Sequence, residues 1–122
     1  AISLLDSPDT FVVHNSVLLS GTSAIAIDYA HPDTHGAYIA NNLVDGRIAS
    51  RDGASAIAES NITTATASWF VAPAKSDLRL RSDTGRAAID TGILTPYAPT
   101  DAAGKARPKG AGVDVGAHEY VP

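Results

Sequence analysis

Three short segments of the chain share one pattern of apolar and polar positions. FVVHNSVLL (residues 11–19), YIANNLV (38–44) and IAESNIT (57–63) each run apolar, pass through a polar pair containing Asn or its Ser counterpart, and turn apolar again. Laid over one another they give three columns: Asn15, Asn41 and Ser60; Ser16, Asn42 and Asn61; Val17, Leu43 and Ile62. The intervals of 26 and 19 residues suit one pass of a solenoid, the longer pass carrying a looped-out insertion. Asn fits the corner between two strands, because its short polar side chain tolerates the left-handed backbone of a sharp turn. Passes stacked about 4.8 Å apart would let each Asn amide bond to its equivalents above and below. The structural corner residues on this reading are Asn15, Asn41, Asn42 and Asn61.

Other segments fill out each pass. SAIAIDYA (23–30), GRIAS (46–50) and TASWFVA (66–72) read as a further strand apiece, while SGT (20–22), HPDTHG (31–36) and SRDG (50–53) mark turns. No segment holds a helical period over a full helix length, and ASAIAES (54–60) is too short to nucleate a helix alone. Only AISLLDSPDT precedes the first recognisable pass, and Ser7, Pro8 and Asp9 suit a turn rather than a cap. From Pro73 the character changes. One more short strand lies in SDLRLRSDTG, after which the chain becomes rich in Pro, Gly and Ala, with strand potential only in VDVGAHEYV (113–121). The expected organisation is a single all-β domain: stacked passes over 1–72, then a strand and a Pro/Gly-rich covering segment over 73–122 that closes the end of the stack.

Composition narrows the partners. The chain is 44% hydrophobic but has one Trp and two Phe, so its core must be built from small and β-branched residues, which suit stacked strands. Its net charge of −4 gives no basic face with which to displace counterions from nucleic acid. No apolar run approaches the length of a membrane span. The absence of Cys removes disulfides and thiolate metal sites.

Residues 76–120 also carry a family likeness. Asp77, Leu78, Arg79 and Leu80, then Ala88, Ile89, Asp90 and Gly92, then Asp101, Gly104, Arg107 and Pro108, and finally Val113, Asp114, Val115, Gly116, Ala117 and Glu119 stand in order. Together they resemble the terminal signature of bacterial parallel β-helix proteins of the pectate-lyase-like superfamily. Gly85-Arg86-Ala87 and His118 depart from that pattern. The resemblance implies a right-handed parallel β-helix of about three coils, secreted or periplasmic. It further implies the C-terminal part of a protein that acts on or binds polysaccharide, this segment being mainly structural and not itself catalytic. Such a parent would be a polysaccharide lyase or glycoside hydrolase, with Ca²⁺ as the ion a lyase of this kind employs. The alternative is a non-enzymatic surface or adhesion module that binds glycan or protein. The partners expected are an acidic polysaccharide and, at the open N-terminal end, another chain or preceding coils.

Three groups of residues have candidate chemistry. His31, Asp33 and His35 alternate as metal ligands on one side of an extended strand would, although Pro32 spoils the extension. Trp69 offers a platform for stacking a sugar ring, or else packs beneath the covering segment. Arg79 and Arg81 alternate with Leu78 and Leu80, which puts both guanidinium groups on one face; they either hold sugar carboxylates or pair with Asp77 and Asp83. Asp90, Asp114 and Glu119 read as structural carboxylates that accept backbone N–H groups or pair with Arg107.

Overall fold

The computed structural model describes residues 1–122. Strands β1 (Ile2–Leu5), β2 (Phe11–Val13) and β3 (Ser16–Val17) make a first pass of the chain. Strands β4 (Ile25–Ala30), β5 (Ala37–Ala40) and β6 (Leu43–Val44) make a second, and β7 (Arg47–Arg51) and β8 (Ala56–Glu59) a third. Each pass pairs in parallel with the one before it, in sheets ordered β1-β4-β7, β2-β5-β8 and β3-β6, the last extended by a bridge from Leu43 to Ile62. The protein is therefore all-β, with parallel sheets and no α-helix.

In-register stacking explains the interior. Ile2, Ile27 and Ile48 fall in one column and Val12, Ile39 and Ala58 in another, so like side chains pile on like. With Leu4, Ala26, Ala37 and Val44 all of these except the exposed Ala58 fill the space enclosed by the three sheets. Small and β-branched side chains fit this narrow interior, as the composition requires. The passes bend at two columns of left-handed residues: His14, Asn41 and Ser60 at one corner, Asp6, His31 and Asp52 at the other.

The register corrects the alignment drawn from the sequence in its first pass. Phe11 stands opposite Tyr38 and Ser16 opposite Leu43, so Asn15 aligns with Asn42 and Asn61, at intervals of 27 and 19 residues. The apolar-polar pattern tolerates a one-residue slip because both members of each corner pair are polar. The left-handed residue is the one before the stacked Asn. Asn15, Asn42 and Asn61 thus form the amide ladder, while Asn41 belongs to the turn column.

Four further expectations give way. The stack begins at Ile2, since β1 pairs with β4 through residues that read as a lead-in. TASWFVA is not a strand of the third pass: Ala67–Trp69 is a 3-10 turn, and β9 (Phe70–Ala72) pairs antiparallel with β10 (Asp77–Leu80). Residues 81–122 contain no strand, VDVGAHEYV included. They run along the outer face of the β3-β6 sheet, where Val115, Ala88, Ile89, Leu80 and Phe70 enclose a second core with Leu43 and Ile62. The covering segment thus lies on the flank of all three passes. It does not close the last pass, whose strand β8 has three exposed residues out of four.

Candidate functional site

A buried polar network fixes the flank. Arg107 Nη1 donates to Glu119 Oε1 at 2.5 Å, and the two side chains are 2% and 0% exposed. Glu119 also accepts the backbone N–H groups of Asp114 (3.0 Å) and Lys109 (2.9 Å), while Arg107 Nη2 donates to the Gly116 carbonyl. Asp114 accepts the N–H of Asp90 and of Tyr120, and burial pushes its carboxyl above the usual range. Asp101 accepts N–H groups from Ala103, Lys105 and Glu119; these outweigh burial and hold its carboxyl below its ordinary value. Irregular backbone can be buried here because carboxylates take the place of ladder partners.

The network meets the stack at one corner. Gly116 N–H donates to the Asn41 carbonyl and Ala117 N–H to Ser16 Oγ. Gly116 has φ +109, and a Cβ there would lie 2.7 Å from Ser16 Oγ, so the close approach requires glycine. The fully buried Asn41 amide donates to the Ile93 carbonyl (2.7 Å) and accepts Ile93 N–H (3.0 Å), and it also donates to His14 Nε2 (3.0 Å). His14 Nε2 is thereby an acceptor and the ring proton sits on Nδ1, which is buried without a partner. Burial, with the nearby Arg107 charge, lowers the His14 pKa.

The Asn41 clamp on Ile93 brings a later residue to the surface of the stack. Register places Phe11 beside Tyr38 on the outer face of β2-β5-β8, and Tyr97, four residues beyond Ile93, lies over both. Ring centroids are 4.2 Å apart for Phe11 and Tyr97, 5.8 Å for Tyr38 and Tyr97, and 6.3 Å for Phe11 and Tyr38. Phe11 and Tyr97 are each half exposed. Ile57 continues the column at 64% exposure. Tyr38 Oη donates to the exposed Glu59 carboxylate at 2.6 Å, and that bond pushes the phenol up to about 12. The face therefore presents apolar rings beside a carboxylate that can accept hydroxyl hydrogens.

The residues singled out in the sequence occupy other places. His31 and His35 do not join Asp33 in a cluster: the His31 ring lies 3.2 Å from Asp6, Thr34 between them is buried, and no group of three His, Asp or Glu side chains is close enough to hold a metal ion. The left-handed turn at His31 and the inward Thr34 prevent the alternation that a metal site needs. Trp69 is half-buried against Leu80 and the second core. Arg79 is bidentate to Asp77 (2.9 and 2.6 Å) and Arg81 to Asp83 (3.0 and 2.8 Å). These guanidinium bonds hold Asp77 down at about 2 and Asp83 well below the usual carboxylate range. A shallow cavity of about 300 Å³ opens beside Arg79, Lys105 and Tyr120, but Arg79 already has its counter-ion.

Sequence reasoning missed the aromatic face. Phe11 and Tyr38 open two of the repeat segments, and correct register alone would have paired them. Tyr97 lies in a stretch without periodicity and left no signal. No family model, no curated protein and no solved structure matches this chain.

Proposed function

We propose that the chain is a right-handed parallel β-helix of the pectate-lyase-like kind that binds polysaccharide on its β2-β5-β8 face. The observation that carries this is the group of Phe11, Tyr38 and Tyr97, held in the open beside Glu59. Aromatic side chains of this size are normally buried, and an exposed group of them marks a binding surface. The C–H face of a pyranose ring stacks on such rings, while Glu59 accepts its hydroxyls. Because the nearest ionic group is a carboxylate, and Arg79 and Arg81 are each occupied by an Asp, the face suits neutral sugars better than acidic ones. Secretion and the role of closing region in a larger carbohydrate-active protein accompany this reading through the terminal signature. A second reading, a purely structural closing region of a lyase or hydrolase, draws on the signature residues Asp101, Arg107, Asp114 and Glu119 being spent on the flank network.

Calorimetric titration with soluble neutral glucans and xylans, against polygalacturonate and alginate, is the test. Binding is expected for a neutral polymer, with Tyr97→Ala weakening it at least tenfold and Arg79→Ala leaving it unchanged. Binding of the acidic polymers alone, lost with Arg79→Ala, would move the site to the cavity beside Arg79. No binding to any of them would leave the structural reading.

A further inference from the structure

The aromatic face carries a single charge, and no cation of the chain answers it. Strands β2, β5 and β8 and residues 93–99, which bring Phe11, Tyr38, Ile57 and Tyr97 together, contain no Lys, Arg or His, and Glu59 is their only carboxylate. Elsewhere Asp28, Asp77, Asp83 and Glu119 are each paired with an arginine. Glu59 has only the phenol of Tyr38, which donates to Oε1; Oε2 has no partner. Because the Tyr38 hydroxyl hydrogen is spent on that bond, the Tyr38–Glu59 pair offers lone pairs and no donor.

Two sources of negative potential therefore meet on one exposed surface. One is the free carboxylate oxygen. The other is the open ring surface of Tyr97, half exposed above Phe11 and Tyr38, since the face of an aromatic ring is the negative side of its quadrupole. A cation is drawn to both, and a charge-assisted bond to the carboxylate is stronger than one from a neutral hydroxyl. The net charge of −4 works in the same direction at longer range.

We infer that the ligand of this face is a glycan of amino sugars whose amines are free and protonated. The C–H side of the pyranose stacks on the ring of Tyr97, and the ammonium, with three donors, bonds to Glu59 Oε2. The inference rests on the glycan-binding reading and sharpens its substrate class. Acetylation of the amine removes the charge and sets a carbonyl and a methyl where the carboxylate requires donors, so the face discriminates against acetylated chains.

Calorimetric titration with β-1,4-linked hexamers of glucosamine, N-acetylglucosamine and glucose, in a mildly acidic buffer that protonates the amines, tests it. The glucosamine hexamer is expected to bind about tenfold more tightly than either of the others, an advantage that shrinks as salt rises. Glu59→Gln keeps an oxygen that accepts from Tyr38, so the face retains its shape, but it should erase the preference and bring the three affinities together. Equal affinity of the unmodified protein for the glucosamine and glucose hexamers would overturn the inference and leave the glycan reading standing. No binding of any hexamer would overturn both. Hexalysine bound as tightly as the glucosamine hexamer would show attraction to charge alone, and would overturn the inference as well.

Discussion

Replacing Glu119 with Ala removes the centre of the flank network. The change leaves the Arg107 guanidinium, 2% exposed, without its carboxylate, and the N–H groups of Lys109 and Asp114 without their acceptor. Stranding a buried charge costs about 3–5 kcal/mol. Each orphaned N–H costs about 1–3 kcal/mol, and the two overlap with the first term rather than adding in full. A loss of about 3 kcal/mol is thus the floor, set against a total domain stability of about 5–15 kcal/mol. Urea unfolding followed through Trp69, the only tryptophan and one that packs against the second core, gives the number by linear extrapolation. The double change of Arg107→Met with Glu119→Leu removes both charges together and should recover at least half of the loss. If Glu119→Ala costs under about 1 kcal/mol, the network is not what holds the flank. A double variant no more stable than the single one would show that the cost lies in the backbone groups rather than in the ion pair.

Two other outcomes follow from the same geometry. His14 has a lowered folded pKa, so its contribution is fully present above the unfolded value of 6.5 and is lost as pH falls towards the folded one. Stability should therefore decline below 6.5 with a slope of up to about 1.4 kcal/mol per pH unit, and His14→Gln, read by thermal melts across that window, should flatten it. Asn42→Asp keeps the shape and the acceptor for Asn15 but turns the donor to Asn61 Oδ1 and the Val12 carbonyl into a repelling oxygen. It should cost about 3 kcal/mol or more in urea titration, whereas an unchanged midpoint would mean that the Asn42 amide does not hold the stack by donating.

The stacked passes were legible because apolar columns and corner Asn residues repeat at solenoid intervals. The slip of one residue in the first pass came from the doublet itself: His14-Asn15, Asn41-Asn42 and Ser60-Asn61 are each polar at both positions, so pattern alone cannot say which member faces its neighbours. Hydrogen-bond direction settles it. The carboxylates of the flank were legible by type, since a segment poor in strands must find acceptors for its N–H groups. Their target was not, because nothing local to Gly116 announces that it will lie on Ser16 and Leu43, far away in the chain. Trp69 drew attention by its rarity, while Tyr97 reaches the surface site only through the clamp between Asn41 and Ile93, a contact with no local signature.

The bond from Ala117 to Ser16 spans 101 residues of chain. On a ribosome adding about 5–20 residues per second, the three passes emerge and can stack in order, each on the one before. The oily strip of Leu43, Ile62 and Phe70 must then wait, uncovered, until Val115 has been made and has cleared the exit tunnel. For those seconds the nascent protein is a β-stack with one naked side. That interval, rather than any weakness of the finished molecule, is when a chaperone would find its binding site.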